Sequence, residues 1–466
     1  MTVHDPLHDF VGIGLGPFNL GLACLTDPLA GPDGLDGVFL EARERFDWHP
    51  GMLLDDATLQ VPFLADLVTM ADPTSRWSFL NYLKQSGHLY PFYIRESFYP
   101  LRREYDDYCR WAAESLPSVR FGERVSAVEH DGSSYIVRSD SGASLRTRRI
   151  VLGIGTSPRV PEALRPVVSR LAGARTSTSE SAVVTHSADY LAHRETLQQQ
   201  DRITVVGSGQ SAAEIYHDLL AAAPDHGYEL VWLTRSPRFF PMEYTKLTLE
   251  MTSPEYGAYH RALPMETRDR LARDQRHLFK GISGDLVDAI FDLHYQQRVT
   301  GDGPRTTLLT NTEVRGSRVV EAGSELDLLH TETGESFSLR TGGLVLATGY
   351  GATEPAFLEG VADRIRRDPR GRYDVADDYS VDVAGGEIFV QNAEEHTHSL
   401  LAPDLGMGPY RNSVIIAAML GREAYPVEKR IAVQTFGVPD RFRSEVEEVA
   451  QRPSRDHRSL DAEMTR

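Results

Sequence analysis

Only two cysteines occur in 466 residues, which leaves neither a disulfide framework nor a cysteine-built metal knuckle. Cys24 and Cys109 read as buried bystanders, and a reducing cytoplasm is the expected compartment. Positive charge is also scarce: 49 lysines and arginines face 67 aspartates and glutamates, a net −18 that repels phosphate backbones and anionic headgroups. Nucleic acid and membrane are therefore excluded as expected partners. No uninterrupted apolar run approaches the roughly 18 residues of a membrane span, and the opening MTVHDPLHDF lacks the pattern of a secretory signal. A soluble, unexported protein is expected, and any anionic ligand must be held by local devices against the global field.

What is present is enough apolar sequence, 41%, for a sizeable core in a chain longer than one core usually serves. Short apolar runs over residues 10–13, 38–40, 150–152, 203–206, 230–233 and 344–346 read as buried strands, with helical patterns between several of them. That alternation predicts an α/β fold with parallel sheets. Two of the strands run into glycine-rich turns, GLGPFN over 14–19 and GSGQSA over 207–212, so the chain carries one device twice.

Such a turn lets pyrophosphate approach the backbone and points helix N-terminal amides at it. In the first copy the key positions are Gly14, Gly16, Pro17 and Asn19, with asparagine in the third glycine's place; either the helix stands farther off or Asn19 donates to the ligand. The next strand ends in Glu41, whose carboxylate suits the ribose hydroxyls of FAD. In the second copy, Gly207, Gly209, Gln210 and Ser211 lead to a strand that ends in Thr234-Arg235-Ser236. A guanidinium there would hold a 2′-phosphate, which points to NADPH over NADH. Small-residue stretches over 153–161 and 347–355 follow two further strands and suit chain crossings beside a bound dinucleotide.

Taken together, these features describe two Rossmann-like dinucleotide-binding domains. The expected boundaries are 1–164 and 346–426 for FAD, 165–236 and 301–345 for NADPH, 237–300 for a smaller helical substrate-binding insertion, and 427–466 for a charged tail. The tail reads as a surface helix with a frayed end or as a disordered segment.

The sequence resembles the N-hydroxylating flavin monooxygenases of siderophore biosynthesis, the lysine, ornithine and diamine N-hydroxylases. The resemblance rests on GxGPxN at 14–19, FxWHxGM at 46–52, LQVPFLADLV at 59–68 followed by DPTS and SFLNYL, GSGQSA, ATGY at 347–350, and HTHSLL at 396–401. It implies that Trp48, His49 and Met52 pack along FAD, that Gln60 lies close to its ring and shifts with redox state, and that Gln210, Arg235 and Lys246 face NADPH. It also implies a C4a-hydroperoxyflavin made from O2, attacked by an uncharged amine, in a homo-oligomer that is often a tetramer.

Where amino-acid hydroxylases of this family carry a lysine in FLKDLV, this chain has Ala65, and Leu249 and Ser283 stand where those enzymes have asparagines. A substrate carboxylate would then be buried without partners. The resemblance, including the block over 90–111, therefore implies a diamine, cadaverine first and then putrescine, with Glu243, Glu250 and Asp404 as candidate partners for its distal ammonium. The alternatives are L-lysine or L-ornithine N-hydroxylation and, more distantly, another flavin monooxygenase or a disulfide reductase. The last needs a redox cysteine pair, and Cys24 and Cys109 are isolated in the sequence.

Overall fold

The computed structural model describes residues 6–172, 182–243, 245–301, 303–321, 323–428 and 430–443. All six apolar runs become parallel strands. One five-stranded sheet runs in the order Ile388–Val390, Ile150–Leu152, Phe10–Ile13, Gly37–Leu40, Val119–Arg120. Its three central strands are buried at nearly every position because both faces are covered. Phe10, Phe39, Val151 and Phe389 point to one face, against the helices Pro17–Thr26 and Gly408–Leu420. Their neighbours Val11, Ile13, Val38, Leu40, Ile150 and Leu152 point to the other, against a separate antiparallel layer.

The second sheet repeats the design, in the order Val183–His186, Gly343–Leu346, Arg202–Val206, Glu229–Leu233, Thr306–Leu309, again all parallel. Ile203, Val205, Leu230 and Trp232 bury against the helix Gln210–His226. The strand Gly343–Leu346 runs through to Leu346, so the expected boundary at 345 cuts an element of this sheet.

Two antiparallel layers had no counterpart in the sequence reading. Ser144–Thr147, Tyr135–Ser139 and Val125–His130 form one, with Leu7–His8 added parallel at its edge, and Thr312–Val320, Gly323–His330 and Ser336–Thr341 form the other. Strands such as Ser336–Thr341 expose most of their residues, so they have no continuous apolar run to betray them.

The two glycine-bearing crossings meet. Ser157–Pro158 pairs antiparallel with Tyr350–Gly351, Arg159 N donates to Gly349 O at 2.9 Å, and Thr348 Oγ1 donates to Arg159 O at 2.5 Å. Both passages between the sheets are thus one ribbon. The insertion is helical as expected, over Lys246–Leu249, Pro254–Ala262, Met265–Asp274, His277–Lys280 and Gly284–Thr300.

The start of the tail departs from both expectations for it. The N–H groups of Ile431 and Ala432 donate to Glu255 Oε1 at 2.7 and 3.0 Å, those of Val433 and Gln434 donate to Glu250 at 2.8 and 3.0 Å, and Phe436 meets the Tyr256 ring edge-on. It is an extended strap across the insertion; residues 444–466 lie outside the described ones. Among the described residues no helix is long and apolar enough to cross a membrane.

Candidate active site

A cavity of about 1030 Å³ runs from the first glycine turn, past the Trp48-His49 segment and the crossing ribbon, to the insertion. Gly14 has φ +82°, and an added Cβ would lie 2.7 Å from Gly153 O, so only glycine fits there. Gly16 has open space where a Cβ would be, and Pro17 opens the helix behind it. Both line the cavity. Glu41 is oriented by backbone donors: Leu15 N to Oε2 at 2.8 Å and Arg43 N to Oε1 at 2.9 Å. Each carboxylate oxygen keeps a lone pair for a ribose hydroxyl. This end therefore fits a dinucleotide such as FAD.

Asn19 plays a different part from the one expected of a ligand donor. It is fully buried, its Nδ2 donates to Gly14 O at 2.7 Å, and its Oδ1 accepts from Gln391 Nε2 at 2.7 Å. It braces the turn from behind. The room that a third glycine would provide comes from Gly153, where a Cβ would fall 2.3 Å from the Asn19 amide.

Trp48 and His49 line the cavity, with ring centroids 5.0 Å apart. The backbone N–H of Trp48 donates to Asp106 Oδ1 at 2.7 Å, and Asp106 is itself paired with Arg110. His49 takes a left-handed backbone, φ 52°, and its ring stands in the cavity wall. Burial among protein atoms first, then the charges of Arg102 and Arg43, pull its pKa down to about 4, so it is neutral. Gln60 lines the cavity and donates to Thr58 O at 2.9 Å. Met52 does not pack there: its side chain is 3% exposed and joins Tyr190, Ile215 and Leu54 in the second sheet's core. An apolar side chain at the joint between two cores gains from complete burial there.

The second turn shows the same backbone demands. Gly207 has φ +152°, with Ala347 O 2.2 Å from an added Cβ, and Gly209 is the extended residue before the helix Gln210–His226. Ser211, within the helix's first turn, is half-buried. Gln210 was expected to face the coenzyme, but its Nε2 donates to Glu214 Oε1 at 2.9 Å and its Oε1 accepts from Ser283 N at 2.8 Å. Arg235 is exposed at the end of its strand, and Lys246 is exposed at the start of its short helix. Sequence reasoning missed two further arginines, Arg276 and Arg159; Arg235 and Arg159 both stand close enough to Arg276 to matter electrostatically. Arg276 is held below its usual range, first by burial and then by the charges of Arg235 and Arg159. Three cations converging from the crossing ribbon, the sheet and the insertion could not be seen in a linear pattern.

At the insertion end the cavity is walled by Glu243, Leu249, Leu278, Phe279, Leu400 and Asp404. Thr248 Oγ1 donates to Glu243 Oε1 at 2.8 Å. Asp404 accepts from Met407 N at 3.2 Å; burial raises its pKa, opposed by the Met407 and Gly406 N–H groups and by Arg411. Ala65 is buried just behind: a Cβ added at Gly406 would lie 3.6 Å from the Ala65 methyl and 3.0 Å from Asp404 Oδ1. Among the described residues of this end no lysine or arginine lines the cavity. Ser283 lies outside its lining, beside Gln210, and Glu250 is engaged by the tail strap, so neither stands with the others.

Two parallel sheets that each open on a dinucleotide turn, joined by one ribbon over a cavity shared with a helical insertion, define a flavin-dependent monooxygenase. The chain belongs to the L-lysine 6-monooxygenase/L-ornithine 5-monooxygenase family, whose model matches residues 6–352. It is 45% identical over 437 residues to a putrescine N-hydroxylase of Shewanella oneidensis, covering 92% of this chain and 84% of that one. The desferrioxamine-pathway cadaverine monooxygenase of Erwinia amylovora, solved with FAD, is 49% identical with a TM-score of 0.87, covering 94% of this chain and 100% of that one. The ornithine N-hydroxylase of Kutzneria sp. 744, solved with reduced FAD, NADP+ and L-ornithine, is 29% identical with a TM-score of 0.79, covering 89% and 99%.

Proposed function

We propose that this enzyme uses FAD and NADPH to hydroxylate one amino group of a diamine, cadaverine before putrescine, for hydroxamate siderophore assembly. The overall change is R–NH2 + O2 + NADPH + H+ giving R–NHOH + H2O + NADP+. The observation that carries the diamine reading is the insertion end of the cavity, which offers the carboxylates Asp404 and Glu243 and no cation. A substrate carboxylate there would be unpaired, whereas a distal ammonium finds an acceptor. A diamine, without preference between the two, is also what the putrescine N-hydroxylase at 45% and the cadaverine monooxygenase at 49% identity are named for.

Bound FAD, reduced by NADPH and reoxidised by O2, supplies the oxygen transfer. The protein's contribution is placement. Gly14, Gly16 and Glu41 would hold the adenosine diphosphate part of FAD, and Trp48, His49 and Gln60 would stand along the remainder. A neutral His49 adds no positive charge beside the reacting amine, which must be uncharged to have a lone pair. Arg235, with Arg276 and Arg159, would take the 2′-phosphate of NADPH.

We further propose a homo-oligomer, supported by an apolar stripe on the helix Gly284–Thr300, where Phe291, Tyr295 and Val299 are 69, 63 and 69% exposed at i, i+4, i+8 spacing. Light scattering of the purified protein reads that state directly. The functional reading is tested by a hydroxylamine-product assay over cadaverine, putrescine, lysine and ornithine, run beside NADPH oxidation. NADPH oxidation without hydroxylated diamine would refute it.

A further inference from the structure

Arg102 begins the helix Arg102–Ser115, on the side of the first sheet, and Glu214 lies one turn into the helix that follows the second glycine turn. Their side chains are 10 and 6% exposed and meet in a two-pronged pair: Arg102 Nη2 donates to Glu214 Oε1 at 2.7 Å and Nη1 to Oε2 at 2.8 Å. The same Nη1 donates to Met52 O at 2.7 Å. Glu214 Oε1 also accepts from Gln210 Nε2, whose amide oxygen holds Ser283 N. One unbroken chain of bonds therefore links the segment after Trp48-His49, the second glycine turn and the insertion.

Two other contacts tighten the same joint. An added Cβ at Gly51 would stand 2.0 Å from Ala188 O, so the turn Pro50–Met52 is wedged against the second sheet's side. Met52, as described, inserts its side chain into that side's core. A buried ion pair of this kind adds little net stability over a well-packed apolar pair, because removing two charges from water offsets their attraction. Its use must then be sought in geometry, since the guanidinium fork accepts only a narrow range of carboxylate orientations.

We infer that Arg102 and Glu214 are positioning residues that lock the NADPH-side turn to the flavin-side segment 48–52. Neither lines the cavity. Through Met52 O on one side and Gln210 on the other, the pair sets the approach of the nicotinamide to the flavin and the grip on NADP+. In the step concerned a hydride leaves NADPH, which becomes NADP+, and the flavin takes it with one proton from solvent. This inference rests on the FAD and NADPH assignment proposed above.

The test uses the full-length holoenzyme with Arg102→Met/Glu214→Leu, Arg102→Lys, and the swap Arg102→Glu/Glu214→Arg. Four quantities are read: FAD content, Kd for NADP+ by calorimetry, the anaerobic rate of flavin bleaching by NADPH against that by dithionite, and the share of NADPH oxidation that ends as H2O2. The apolar pair is expected to keep FAD and its dithionite bleaching. It should raise the NADP+ Kd and slow NADPH bleaching at least tenfold each, and raise the H2O2 share. The swap should recover part of both losses. An apolar pair that keeps the NADP+ Kd and NADPH bleaching within twofold of wild type overturns the inference. If that pair fails to fold, Arg102→Lys decides by the same criteria, since it keeps the charge and loses the fork. A wild type that binds no NADP+ would instead sink the cofactor assignment.

Discussion

Asp404→Asn isolates the charge that the diamine reading requires. The amide keeps an oxygen for the Met407 N–H and is the same size, so the cap on the turn Leu405–Met407 survives and stability should change little. What disappears is a charge-assisted contact to an ammonium in a water-poor wall, worth about 1.5–3 kcal/mol. That corresponds to a fall of roughly 10- to 150-fold in kcat/KM for cadaverine, mostly in KM if the contact is made equally in ground and transition states. The assay is hydroxylamine product against diamine concentration at saturating NADPH, with FAD content and Tm as controls. Because the diamine's ammonium would offset the burial that raises the Asp404 pKa, cadaverine at one fixed concentration should also protect the wild type against thermal unfolding more than the variant. Unchanged kcat/KM and equal protection in both proteins would refute the assignment of Asp404.

Gly14→Val should yield folded but colourless protein, since its side chain meets both a left-handed φ and the Gly153 carbonyl; FAD absorbance at full occupancy would contradict the site. Arg235→Ala should raise the KM for NADPH about tenfold or more, by the loss of roughly 1.5–3 kcal/mol, and leave NADH nearly unchanged. Ala65→Lys should narrow the cadaverine-over-lysine preference, which in the wild type should be at least about tenfold, by placing an ammonium beside Asp404; product ratios in competition read this. His398 stays neutral in the fold down to about pH 3, through burial first and then Arg411, while an unfolded histidine takes its proton near 6.5. Acidification below 6.5 thus favours the unfolded state by up to about 1.4 kcal/mol per pH unit from this residue. The pH dependence of Tm between 4 and 6.5 should be shallower in His398→Gln.

The parallel sheets were legible because strands buried on both faces must be apolar throughout. Phe10–Ile13 and Ile150–Leu152 expose nothing and stood out as runs, and the glycine turns that follow are forced by positive φ and close backbone approach. The antiparallel layers were not legible for the converse reason. In Gly323–His330 and Val125–His130, buried positions are mixed with exposed or partly exposed ones, so each strand looks like an ordinary polar segment until its partner is known. The path of the tail strap is explained by groups far away in sequence, the carboxylates of Glu250 and Glu255 and the Tyr256 ring.

Within the site, a motif marks where the backbone must go more reliably than which side chain touches a ligand. Gly14, Gly16, Glu41, Trp48, His49 and Gln60 all line the cavity. Asn19, Met52 and Gln210 belong to the same motifs and yet point away, because each satisfies a neighbouring requirement: the amide behind Gly14, the core of the second sheet, the Arg102–Glu214 pair. Buried polar groups need partners, and a turn that must hold its shape recruits them from adjacent motif positions. Residues that make such joints, like Arg102 and Glu214, carry no sequence signature, since their meaning lies in a contact between segments 112 residues apart. The physical consequence is that substitutions at these joints should alter how the two dinucleotides are held relative to each other while leaving each individual turn intact.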